Sequence, residues 1–214
     1  MIFYRPTDGD AHTANINLKP KTCFIMTQFK EPIPIIIPVI EEKLREVLEN
    51  HNFRYIDANS FITGKDFLIK IWKLILEVPI GIAIIDKEMS LETLENIFYE
   101  IGILQSYGKE TLIVKSKNTK IPSDFVRTEY IEFDELFEEK INKFFDSLSE
   151  QAEHYEIMAD QVERNPLLAI DYIRRAYLIT EDSRLIEKKQ ELLEQIAIKD
   201  RAKNSVEMLL IDFH

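Results

Sequence analysis

Apolar positions follow two alternating rhythms along this chain. Lys21–Thr27, Ile80–Ile85 and Glu110–Lys115 are short, nearly uninterrupted apolar runs. Runs of that length bounded by polar residues predict strands buried on both faces. Asn52–Asp57 and Tyr130–Phe133 predict two shorter strands. Between them the apolar residues recur three and four apart, as on one face of a helix. Val39, Ile40, Leu44, Val47 and Leu48 predict a helix over Val39–Asn50. Phe67, Ile71, Leu74 and Ile75 predict one over Asp66–Glu77, and Leu94, Ile97, Phe98, Ile101 and Leu104 one over Leu91–Tyr107. Asp134–Leu148 is amphipathic as well. Punctuation agrees: Gln28–Pro38 carries Pro32, Pro34 and Pro38 and reads as a loop, Pro79 stops the second helix and Gly108 the third.

Strands that alternate with helices predict a parallel sheet covered on both faces. Ligands of such sheets sit at the carboxyl ends of the strands. That expectation places Thr27–Lys30, Asp57–Asp66, Asp86–Met89 and Lys115–Lys117 around one rim. Beyond residue 150 the strand pattern stops, and 151–163, 166–179 and 183–198 read as helices. Asn165-Pro166 has the form of a helix start, and Asp182 is placed to cap the last helix. The helix pair over 166–179 and 183–198, with alanine, tyrosine and leucine recurring in Leu168–Leu178, resembles one helical hairpin of the tetratricopeptide kind, although a tail packing on the domain or on a second subunit is the simpler reading. The expected organisation is an irregular lead-in over 1–20, an α/β domain over 21–149 and a helical extension over 150–214.

Composition narrows the function classes. The 214 residues are 45% hydrophobic and 30% charged, an ordinary globular balance. A net charge of −11 opposes binding to bulk nucleic acid, which requires a basic surface. Cys23 is the single cysteine, so no disulfide forms within the chain; it sits in a strand and reads as a small core residue. Met1–Asp10 has neither a basic flank nor a long apolar stretch, and the Ile33–Ile40 run is broken by prolines. The expectation is a cytoplasmic protein with no membrane partner. His12, His51, His154 and His214 are scattered without metal-ligand spacing, so no metal is expected. Glycine-rich nucleotide loops and a nucleophile elbow are missing. Trp72 reads as a core anchor.

The chemistry-bearing stretch is Asn96-Ile-Phe-Tyr-Glu100-Ile-Gly102, followed by Gly108-Lys109 and the strand Thr111–Val114. Asn96 and Glu100 are four apart and share a helix face. Gly102 would let the helix approach the sheet closely, and Asp86 ends the preceding strand. A carboxylate pair with an amide suits cleavage of a glycosidic bond, whose transition state is a sugar cation. An amphipathic helix also carries glutamate on its solvated flank for no chemical reason, and spacing alone does not separate the two.

The same stretch resembles the Asn-x-x-Tyr-Glu-x-Gly helix of nucleoside 2-deoxyribosyltransferase-like proteins and their TIR-like relatives. Ile121-Pro-Ser-Asp-Phe125 with Arg127, and the opening Phe24-Ile-Met-Thr-Gln28, extend the resemblance over roughly residues 21–145. It implies a flavodoxin-like (TIR-like) α/β sandwich of helices about a parallel sheet, with an all-helical C-terminal extension. It implies Glu100 as the nucleophile or cation-stabilising carboxylate, with Asp86 as the second catalytic carboxylate. Asn96 and Asp86 match positions near the sugar, and Tyr99 is a ligand-binding candidate beside Glu100. Gly64 and Asp66 fall in the segment that lines the base or sugar pocket, and Gln28 and Lys30 where a phosphate is contacted. Val78-Pro79 stand where many relatives carry an acidic residue, a departure that leaves Asp86 to substitute.

The function expected is hydrolysis or transfer at the N-glycosidic bond of a nucleotide, nucleoside or NAD, without cofactor or metal and in a homo-oligomer. Two other readings stay open. One is a nucleotide-binding sensor that relays occupancy through its C-terminal helices. The other is an assembly scaffold in which Glu100 is incidental.

Overall fold

The computed structural model describes residues 9–10, 16–58, 67–125 and 128–195. Five strands form one sheet: β1 (Thr22–Met26), β2 (Arg54–Asp57), β3 (Ile80–Ile85), β4 (Glu110–Lys115) and β5 (Glu129–Glu132). Their order is β2-β1-β3-β4-β5, and every neighbouring pair is parallel. The helices are α1 (Ile36–Asn50), α2 (Phe67–Glu77), α3 (Leu91–Ser106), α4 (Phe137–Gln161), α5 (Pro166–Thr180) and α6 (Arg184–Gln195). This is a flavodoxin-like α/β arrangement with helices at its C-terminal side of the sequence.

Why the strands lie where they do follows from their composition. β3, Ile80-Gly-Ile-Ala-Ile-Ile85, is buried throughout, because a central parallel strand is covered on both faces. β1 beside it is equally buried, whereas edge strand β5 exposes Glu129 and Tyr130. The right-handed crossover rule separates the helices by direction of travel. The chain steps one way from β1 to β2 through α1, and the other way through α2 and α3. Helices α2 and α3 are neighbours, while α1 meets the start of α4 through the stacked rings of His51 and Phe145, 5.1 Å apart.

Several expected boundaries shift for identifiable reasons. Helix α1 begins at Ile36, inside the stretch read as loop, and contains Pro38. The first four N–H groups of a helix have no intrahelical partner, so proline at the third position costs little there. The earlier start turns Ile37 inward, and Val39, expected in the core, is 45% exposed. The helices expected over Asp134–Leu148 and 151–163 are one continuous helix, α4, since Ser149 and Glu150 break nothing. Helix α3 ends as expected: Gly108 is left-handed with φ +65°, its N–H bonds Gln105, and Lys109 N–H bonds Leu104. The N-cap of α3 is Ser90, which accepts from Thr93 N–H.

The close approach of helix to sheet is not at Gly102. That glycine is exposed, and an added Cβ would meet nothing within 4 Å. Gly81 of β3 is the residue that permits it: a Cβ there would collide with Leu104 Cδ1 of α3 and lie 3.1 Å from Met26 Cε. Cys23 is fully buried, and Trp72 is 1% exposed with its Nε1 donating to Tyr107 Oη at 3.0 Å.

The chain divides into two compact units. One runs from Thr22 to Phe145 and holds the sheet; the other joins Met1–Lys21 to Asp146–His214. In the second unit Lys21 N–H bonds the carbonyl of Leu178, which ties the chain before β1 to α5. Asn165 caps α5 through Leu168 N–H at 3.4 Å, and Asp182 accepts from Arg184 N–H at the start of α6. Buried Asp171 receives Arg174 at 2.7 Å and Arg175 at 3.0 Å. Burial pushes that carboxyl up, but the two guanidinium groups more than offset it and leave it below the ordinary value. Among the described residues no helix is long and apolar enough to cross a membrane.

Candidate functional site

Parallel strands send all their carboxyl ends to one rim. The strand order reverses between β1 and β3, which is where such sheets open a crevice. Thr27 and Gln28 leave β1 at that point, Asp86 leaves β3, and Ser116 leaves β4.

Asp86 is 4% exposed and has both carboxylate oxygens engaged. Oδ1 accepts from Glu88 N–H at 2.7 Å, which closes the turn after β3. Oδ2 accepts a short bond from Ser116 Oγ, and Ser116 Oγ in turn lies 2.7 Å from Thr119 Oγ1. The carboxylate thus ties the ends of β3 and β4 together.

Glu100 differs in every respect. It lies on the α3 stripe that includes Asn96, Ile103 and Tyr107, residues three and four apart. Tyr107 bonds Trp72, so this flank of α3 faces α2. The Glu100 side chain keeps some contact with solvent, yet enough protein surrounds its carboxyl that burial alone pushes the pKa up to about 8. No hydrogen bond or ion pair to it occurs among the described residues. At neutral pH such a carboxyl is mostly protonated, and a positive charge arriving beside it would draw the proton off.

The other expected site residues are distributed unevenly. Asn96 is exposed, and Tyr99 is 53% exposed. Gln28 is buried, and its amide nitrogen donates to the carbonyls of Lys30 and Pro32. Lys30 is exposed. Lys115 is committed to Glu132 at 2.7 Å. Gly64, Asp66 and Arg127 lie outside the described residues. Phe98, on the opposite flank of α3 from Glu100, packs on Phe125 with ring centres 4.9 Å apart. Among the described residues no group of three or more His, Cys, Asp or Glu side chains could hold a metal.

Ser116 lies in the Lys115–Lys117 stretch expected at the rim, but the sequence singles out neither it nor Thr119 as a partner of Asp86. Small hydroxyl residues after a strand look like ordinary loop, and only the parallel register of β3 and β4 brings Ser116 to Asp86.

No family model matches the chain, and no curated protein matches it. A solved structure of a 2-deoxyribosyltransferase from the psychrotolerant bacterium Bacillus psychrosaccharolyticus, described as a biocatalyst for nucleoside synthesis, is similar at 13% identity, the alignment covering 56% of this chain and 90% of that one with a TM-score of 0.42.

Proposed function

We propose that the Thr22–Phe145 unit binds a nucleoside, nucleotide or NAD and cleaves its N-glycosidic bond, with Glu100 stabilising or trapping the ribosyl cation. The observation that carries this reading is the Glu100 carboxyl, which burial holds near pKa 8 with no cationic partner among the described residues. A carboxyl kept neutral in the empty site becomes a carboxylate as positive charge develops next to it. The interaction is therefore stronger in the transition state than in the resting protein, which is the requirement for catalysis. In the step itself the bond between the sugar carbon and the base nitrogen breaks, its electron pair leaves with the base, and Glu100 has given its proton to solvent. Water or an acceptor base then takes the sugar.

The test is chromatographic detection of base release by wild type and Glu100→Gln, over NAD, nucleosides, deoxynucleosides and their monophosphates. Release by wild type and a fall of at least about 100-fold in the variant is the expected result. Asp86 favours a second reading, a sensor that binds without cleaving. Its two oxygens serve Glu88 and Ser116, which leaves Glu100 without a second free carboxylate. Nucleotide binding by both proteins without release from either would select the sensor.

A further inference from the structure

Gln28 is 8% exposed and leaves β1 beside the point where the strand order reverses. Its amide is held by one branch. Nε2 donates to the carbonyl of Lys30 at 2.9 Å and to that of Pro32 at 2.6 Å. Both partners can only accept, so the nitrogen must face them and the amide cannot be turned over. The other branch, Oε1, is shut off from solvent and meets no donor among the described residues. Leaving a buried acceptor unpaired is costly, and native proteins rarely do so without a water, an ion or a ligand to complete it.

We propose that Gln28 Oε1 accepts a hydrogen bond from a neutral amino or hydroxyl group of the ligand, and that no phosphate binds at this position. The proposal rests on the nucleoside reading above and narrows it. An amide oxygen only accepts, a phosphate dianion brings no proton, and both donors of this amide are already used. The assignment replaces the expectation, drawn from resemblance, that Gln28 contacts phosphate. Thr27 Oγ1 is buried without a partner as well. Thr27 is less buried than Gln28, and the argument stands on Gln28.

An amino group on the base and a hydroxyl on the sugar share this donor chemistry, and ligand analogues separate them. Calorimetric titration of the full chain carrying Glu100→Gln, which blocks turnover, would use adenosine and cytidine. Alongside them go their analogues lacking the exocyclic amino group, their 2′- and 3′-deoxy forms, and their monophosphates. Loss of the one group that meets Gln28 is expected to weaken binding about tenfold, and the identity of the weakened analogue names that group. Gln28→Met, similar in length but without the acceptor, should erase the difference, whereas Thr27→Val should keep it. The comparison among ligands on the chain with Gln28 intact needs no variant of that residue to fold. Equal affinities across the donor series would overturn the inference while leaving nucleoside binding in place. So would a phosphate-dependent gain that disappears in Gln28→Met. Failure of every panel member to bind would overturn both.

Discussion

Ser116 Oγ donates to Asp86 Oδ2, and this bond joins the carboxyl ends of β4 and β3 across the rim of the sheet. A carboxylate at the end of a central strand invites a catalytic reading. Here its second oxygen is also occupied, by Glu88 N–H. Asp86 is therefore built into the walls of the site.

Replacing Asp86 by Asn keeps the shape but substitutes an amide donor for one of the two acceptors. We expect Asp86→Asn to lower stability by about 1–3 kcal/mol, read as a reduced urea midpoint with unchanged slope. An unchanged midpoint together with lost base release would instead assign Asp86 to the chemistry.

Two glycines near one helix should respond in opposite directions. Gly102 is exposed in the middle of α3 with open space where a Cβ would stand, so Gly102→Ala should raise stability by about 0.5–1 kcal/mol. Gly81 lies under the fully buried Leu104, so Gly81→Ala should lower it by about 1–3 kcal/mol. Adding Leu104→Val removes the colliding Cδ atoms and should return part of that loss, which a double-mutant cycle measures. Additive effects of the pair would refute the contact.

Glu100 links stability to pH. Its folded pKa is about 8 against an ordinary 4.5, so between those values the folded chain holds a proton that the unfolded chain has lost. The stabilisation is complete below the unfolded value and disappears as pH rises through about 8. Wild type should thus lose stability as pH rises from about 4.5 to about 8 and level off above that, while Glu100→Gln, neutral throughout, should lose on the order of 1–3 kcal/mol less. Denaturation midpoints across that range decide it, and parallel curves for the two proteins would count against a buried Glu100 carboxyl.

Much of the fold was legible in the order of residues. Apolar runs identified β3 and β4 to the residue: β3 is apolar and buried throughout, and β4 has a buried Leu112–Val114 centre flanked by polar ends. Three-and-four spacing located α2 and α3 within a residue or two, and Gly108 marked the end of α3 by the left-handed turn it makes. The start of α1 was hidden because proline reads as a breaker, and only its place in the first turn makes it harmless.

What the sequence determined by itself was the local part: the period of each element, the caps, and the shared flank of Asn96 and Glu100. Those depend on contacts between near neighbours in the chain. What only the tertiary structure decided was which polar atoms are already spent. Asp86 is engaged because parallel pairing brings residue 116 to it, and Gly81 rather than Gly102 carries the close packing because Leu104 lies over β3. Glu100 sits near pKa 8 because folding removes water from around its carboxyl. Burial and long-range pairing are properties of the packed chain, and no local pattern encodes them.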